Sequence, residues 1–348
     1  NFIYAHSTIP FSKLIYGEKY LEEVQASTAE YSDVFEECSS ALTTKLPSEI
    51  EFRKRSIVND TGMESSSIIV GLLKAEQTHV SQDIYEMFNN FKVKTVLIDY
   101  NKLINLEKIN EESLHFAKQD IRLAQKLTLN RIKIEVEKFI KEQNINRIFI
   151  PDNLPLPSTA YYQLVTEAIV KIVDDNPSIH LLGICSGLQG IMNAQGVEIV
   201  HFFDDEKQHK SYLNNPQQEN TTLQQIKIVP NSRLAEIVSK FLMPDENGWF
   251  STYFPDTHAE AINNSLKNRK KLESLGYKVV GFSNDGMIKA IEDRHGNIHF
   301  QSHPEALVLK SDKNFYLEKQ QELKKSILVA ISIVHDFLYR NNCHHIEF

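Results

Sequence analysis

Cys185 lies in the stretch Leu181-Leu182-Gly183-Ile184-Cys185-Ser186-Gly187-Leu188-Gln189. The apolar run 179–184 predicts a buried parallel strand and 188–194 predicts a helix, so the cysteine falls on the turn between them. Such a turn presents the sulfur. A helix N-terminus beside it, with unpaired N–H groups and the positive end of the macrodipole, favours a thiolate. Glycines at 183 and 187 fit a crowded elbow, where a side chain would collide with the adjoining strand or helix. Taken alone, the stretch also reads as an inert core cysteine, since free cysteines are often buried.

A second stretch, Phe300-Gln301-Ser302-His303-Pro304-Glu305, shifts the balance toward chemistry. It places a histidine and a carboxylate at the end of a short strand, where both can meet Cys185 above the carboxyl edge of a sheet. A thiol nucleophile needs a base that takes its proton and returns it to a leaving amine. It also needs a third group to hold the imidazole in the right tautomer. His303 is the candidate base and Glu305 the candidate orienting group.

The order strand-Cys-helix followed by strand-His-Pro-Glu resembles class I glutamine amidotransferase-like proteins, most closely the gamma-glutamyl-hydrolase-type peptidases, over residues 67–309. The resemblance implies an α/β fold of three layers, a mostly parallel central sheet with helices on both faces. It implies a cysteine hydrolase that cleaves a gamma-glutamyl amide (a peptide, amine or isopeptide) through a Cys185-His303-Glu305 triad and a thioester, with no cofactor. It further implies that the backbone N–H groups of Ser186 and of Asp152 or Asn153 hold the oxyanion. Gln189 corresponds to a glutamine beside the glutamyl group, and His258 to a histidine on the substrate side of the cleft. For these last two, helix packing and an ordinary surface histidine are the alternatives.

The sequence departs from the family pattern at three places. Pro151-Asp152-Asn153 stands where the family carries proline and glycines. Aspartate and asparagine tolerate left-handed backbone angles, so the turn can persist, but a carboxylate beside a developing oxyanion opposes the charge that the site must stabilise. Lys289 follows the Asn284-Asp285-Gly286 turn where the family has a carboxylate, and Ser302 replaces an aromatic residue. These departures motivate the alternative of a catalytically inactive scaffold. A glutaminase subunit that feeds ammonia to a separate synthetase is another alternative, but nothing before residue 67 is long enough to be that synthetase.

The elements needed to position these residues can be read from the patterning. Strands are predicted over 67–73, 94–98, 146–150, 197–203, 226–229, 249–254 and 298–301, with a hairpin of 278–283 and 287–292. Helices are predicted over 81–91, 112–143 with a break near 128–130, 158–173, 232–241 capped by Asn231 or Ser232, and 315–339. Residues 204–222 read as a polar loop. Alternation of buried strands with amphipathic helices implies a parallel sheet covered on both faces.

Residues 1–62 read as a helical N-terminal extension, ending at the turn Asn59-Asp60-Thr61-Gly62, and 63–348 as the main domain. Leu21, Val24, Thr28, Tyr31, Phe35, Cys38 and Leu42 form one stripe on that extension, which either covers the main domain or docks a protein partner. The chain of 348 residues is 41% hydrophobic with a net charge of −8, and so lacks the basic excess that nucleic acid or an anionic membrane surface demands. No apolar run reaches the roughly 20 residues of a membrane span. An odd count of three cysteines argues against a disulfide framework. A cytoplasmic location is expected, with secretion into another cell as the alternative. Cys343-His344-His345 lacks a further ligand at suitable spacing, so no metal is expected.

Overall fold

The computed structural model describes residues 67–105, 108–109, 121–153, 160–201, 223–310 and 321–340. The stripe at 21–42, the boundary at 59–62, the loop 204–222 and the terminal Cys343-His344-His345 lie outside them.

The first half alternates as expected: β1 (Ile69–Leu73), α1 (Thr78–Asn90), β2 (Lys94–Ile98), α2 (Tyr100–Leu103), α3 (Ile121–Glu142), β3 (Arg147–Ile150), α4 (Ala160–Asp175), β4 (His180–Gly183) and α5 (Ser186–Ala194). Its strands form a four-stranded parallel sheet in the order β2-β1-β3-β4. Strand alternation feeds two cores. Val70, Leu72, Phe149 and Leu182 point to one face, where Phe88 and Phe337 pack edge-on or tilted against Phe149 or each other. Leu73, Ile148, Ile150 and Leu181 point to the other, against α3, α4 and α5. A sheet whose residues are apolar on both faces must be covered on both, and this gives the three layers.

The second half supplies β5 (Ile199–His201), β6 (Leu223–Ile228), α6 (Arg233–Val238), β7 (Phe250–Pro255), β8 (Glu260–Ile262), α7 (Leu266–Ser274), β9 (Lys278–Ser283), β10 (Ile288–Glu292), β11 (Ile298–Phe300), α8 (Pro304–Lys310) and α9 (Gln321–Tyr339). A five-stranded sheet runs β11-β10-β9-β6-β7, and its pairings are antiparallel. The short pair β5-β8 is antiparallel as well. The two larger sheets meet at one parallel bridge between Ile184 and Phe300. This seam is reinforced where Cys185 N–H donates to the Phe300 carbonyl at 2.7 Å and Gly183 N–H donates to His299 Nδ1 at 3.1 Å.

Two expectations change. The predicted break near 128–130 is absent, and α3 continues through it, with the buried Thr128 hydroxyl satisfied within the helix by the Ala124 carbonyl at 2.9 Å. α7 has no counterpart among the predicted helices. Asn268 and Leu272 are its buried residues, and it is held at its start by the Ser265 cap. The cap of α6 is Ser232, whose hydroxyl accepts from Ala235 N–H at 3.0 Å. α9 is fastened across the sheet by Arg147, whose Nε donates to the Leu338 carbonyl at 2.8 Å.

Candidate active site

Cys185 sits between β4 and α5 with φ 51° and ψ −110°, a left-handed backbone that a non-glycine residue adopts only at a cost. That geometry needs its glycine neighbours. A Cβ on Gly187 would lie 2.2 Å from the Ile150 carbonyl oxygen, and one on Gly183 would lie 2.5 Å from Ile191 Cδ1. The sulfur is more enclosed than an elbow alone predicts, since Cys185 is 3% exposed. Its Sγ meets the Thr257 carbonyl at 3.8 Å and accepts from Gln301 Nε2 at 3.5 Å.

His303 follows β11 and directly precedes α8. Pro304 opens that helix, where a missing N–H costs nothing, so Glu305 falls in its first turn. His303 Nδ1 and Glu305 Oε1 are 2.8 Å apart, and His303 N–H donates to the Pro255 carbonyl at 2.8 Å. The other ring nitrogen, Nε2, is buried with no hydrogen-bond partner among the described residues. A ring nitrogen of His303, the Cys185 sulfur and a carboxylate oxygen of Asp152 all lie within 4.8 Å of one another.

Of the three N–H groups expected to hold an oxyanion, those of Ser186 and Asn153 are occupied. Ser186 N–H donates to Asp152 Oδ1 at 3.3 Å, and Asn153 N–H donates to Ser186 Oγ at 2.7 Å. Asn153 is wholly buried, and its side chain accepts from Glu76 N–H at 2.7 Å, which fixes the turn after β3. The carboxylate of Asp152 thus lies beside the Cys185 sulfur.

Gln189 spends its amide N–H groups on the Glu260 carbonyl at 2.9 Å and on Gln301 Oε1 at 3.1 Å. Its own oxygen has no hydrogen-bond partner among the described residues. Gln301 therefore links Gln189 to the sulfur, a position that received no role in the sequence reading. The signal for it was present, because residues two apart in an extended stretch share a face, and Gln301 precedes His303 by two.

His258 is 5% exposed rather than on the surface. Its Nε2 lies 2.6 Å from Lys289 Nζ, and Lys289 pairs with Asp256 Oδ2 at 2.5 Å. Lys289 reaches them because the β9–β10 register slips around Ala290, leaving it without an opposite residue in the ladder. Burial lowers the Lys289 ammonium from its usual range, and Asp256 works against that shift.

The electrostatics of the pair run in opposite senses. Burial pushes the Cys185 thiol up to about 12, and the Asp152 charge adds to this while His303 opposes it. Burial works against a charge on His303, yet Glu305 and then Cys185 outweigh it and hold the imidazole well above 6.5.

Comparison with known proteins adds the following. The family model "Glutamine amidotransferase class-I" matches residues 103–321. A glutamine amido transferase from Methylobacillus flagellatus aligns at 9% identity and a TM-score of 0.43, covering 81% of this chain and 98% of that one. PurLQS from Thermotoga maritima aligns at 12% identity and a TM-score of 0.41, covering 77% of this chain and 97% of that one. A valine--tRNA ligase from Rickettsia felis is 52% identical over 48 residues, so the chain spans 6% of the length of that curated relative and the match covers 14% of this chain.

Proposed function

Because this chain belongs to the class-I glutamine amidotransferase family, we propose that it is a cysteine hydrolase that cleaves a gamma-glutamyl amide through Cys185, His303 and Glu305. The observation that carries this reading is the buried His303, bonded to Glu305 on one ring nitrogen and facing Cys185 with the other.

The chemistry follows from that placement. His303 takes the thiol proton as Sγ bonds to the side-chain carbonyl carbon, and the carbonyl π electrons move onto oxygen. Collapse of the tetrahedral species breaks the C–N bond, and His303 returns its proton to the departing amine. Water, deprotonated by the same imidazole, then attacks the thioester and releases the glutamyl acid and the thiol. Glu305 keeps the imidazole oriented and stabilises its charged form throughout. The oxyanion is held by Ser186 N–H together with the N–H of Asp152 or Asn153, which requires the Asp152 carboxylate to swing off Ser186 N–H first and, for Asn153, the Ser186 hydroxyl to release its N–H. The free oxygen of Gln189 is placed to accept an N–H of the glutamyl group, while His258 shapes the cleft from within its cluster with Asp256 and Lys289. A thiol nucleophile suits a reducing compartment, in keeping with a cytoplasmic site of action, and among the described residues no helix is long and apolar enough to cross a membrane.

The test is glutamate release from a panel of gamma-glutamyl amides, peptides and isopeptides. Wild type releases glutamate and Cys185→Ala does not, with a loss of at least about a thousandfold. Equal inertness of both proteins across the panel refutes the reading. A second reading, an inactive scaffold, is favoured by the carboxylate bonded to Ser186 N–H. Alkylation of Cys185 near neutral pH much faster than of Cys38 and Cys343 counts against it.

A further inference from the structure

Three unlike donor atoms converge at the end of β4: the Cys185 sulfur, a ring nitrogen of His303 and an oxygen of Asp152, mutually within 4.8 Å. A thiolate, an imidazole and a carboxylate repel or compete with one another for protons when left alone. They cooperate when a cation stands between them. We propose that Cys185, His303 and Asp152 form a binding site for a borderline divalent transition metal of the zinc type.

The donor set selects the metal. Sulfur and nitrogen with a single oxygen suit Zn²⁺ and its neighbours, whereas Mg²⁺ and Ca²⁺ require a shell of oxygens. Tetrahedral bonds of about 2.0–2.3 Å put donor atoms roughly 3.3–3.7 Å apart. From separations of up to 4.8 Å, the three atoms therefore need to draw together by about 1.5 Å at most, within the reach of side-chain rotations. Three protein donors leave the fourth position to water.

The orientation of His303 points the same way. His303 Nε2 is buried and without a hydrogen-bond partner among the described residues, while Nδ1 is engaged by Glu305 at 2.8 Å. A metal-bound histidine is generally oriented by such a carboxylate on its other nitrogen, which also raises its basicity. Binding breaks the Sγ–H bond and removes the proton on Nε2. Both protons pass to solvent as the sulfur–metal and nitrogen–metal bonds form, with no change in oxidation state. The two formal negative charges of Cys185 and Asp152 are then balanced by the cation.

The metal site stands on donor geometry alone. Its consequence, that an occupied site has no free thiol and is shut as a hydrolase, rests on the function proposed above. Asp152 is what distinguishes this pocket from a plain Cys-His pair, because it adds the third donor where the family pattern has glycine.

The full chain, stripped with a chelator, is titrated with Zn²⁺ by calorimetry and with Co²⁺ by absorption. The expected result is one ion per chain, with a thiolate-to-cobalt band in the near ultraviolet. Cys185→Ala abolishes the band, Asp152→Ala weakens binding at least tenfold, and Glu305→Gln weakens it by about tenfold. Cys343→Ala with His344→Ala leaves stoichiometry and affinity unchanged. Circular dichroism of each variant guards against loss of fold, and Asp152→Ala, which retains the thiol, remains decisive if Cys185→Ala misfolds. Binding that survives Cys185→Ala, an affinity that Asp152→Ala leaves unchanged, or no binding at micromolar metal overturns the proposal. The glutamate-release assay without metal reports separately on the hydrolase, so either idea can fail while the other stands.

Discussion

In the proposed hydrolase, Asp152 decides how fast the site can work. Its Oδ1 takes the N–H of Ser186 that a tetrahedral intermediate needs, and its charge adds to the burial that pushes the thiol up to about 12. Asp152→Gly removes both obstacles. A single oxyanion donor is worth about 100- to 1,000-fold in turnover, so even partial recovery predicts a kcat at least about tenfold higher, read by glutamate release under saturating donor. The pH profile follows from the same charges. Arming the pair requires removal of one of two protons, on an imidazole held well above 6.5 and a thiol held near 12. The rate therefore goes on climbing with pH above 6.5, where an unshifted histidine base would already have levelled off. Asp152→Asn withdraws a charge that favours the protonated thiol and moves that limb to lower pH; a limb that stays in place in the variant refutes the assignment.

At the scale of elements, the elbow is a packing problem as much as a chemical one. The start of α5 lies so close to β3 that a methyl group on Gly187 would meet the Ile150 carbonyl oxygen at 2.2 Å. Gly187→Ala is expected to destabilise the fold by about 2 kcal/mol, the range of overpacking in a close-fitted interior, measured by urea denaturation. This crowding was legible in the sequence, because a strand, a cysteine and two flanking glycines admit few backbone solutions. So was the meeting of His303 with Glu305, since proline between them starts a helix and fixes their spacing. Lys289 was less legible. A lysine in a hairpin reads as a solvated charge, and its burial depends on Asp256, 33 residues away in the chain, together with a slip in the ladder. The Asp152 contact was only half readable: the charge conflict follows from the residue type, whereas the bond to Ser186 N–H is set by a rotamer. The helix 266–274 carries little patterning to read, because it lies on the molecule with few of its residues buried.

Across the whole molecule, the layered architecture is the part most firmly encoded. Strands β1, β3 and β4 are apolar on both faces and can persist only between two layers of helices. The second half is not a continuation of the same pattern. It is an antiparallel sheet that joins the first along Ile184 and Phe300. Cys185, the proposed nucleophile, hangs from the parallel side and His303, its proposed base, from the antiparallel side. Turnover is expected to fall at lower urea than far-ultraviolet circular dichroism, with paired midpoints from the two measurements as the check. Coincident midpoints refute it.

That joint makes the reaction a gauge of alignment between two halves that differ in construction. The backbone of Cys185 is itself tied to the Phe300 carbonyl, so a shear too small to expose any core would still carry the sulfur away from the imidazole. Anything that grips both halves at once, be it a neighbouring protein or a covalent tether across the strands, acts as a clutch on the chemistry without touching a reacting atom.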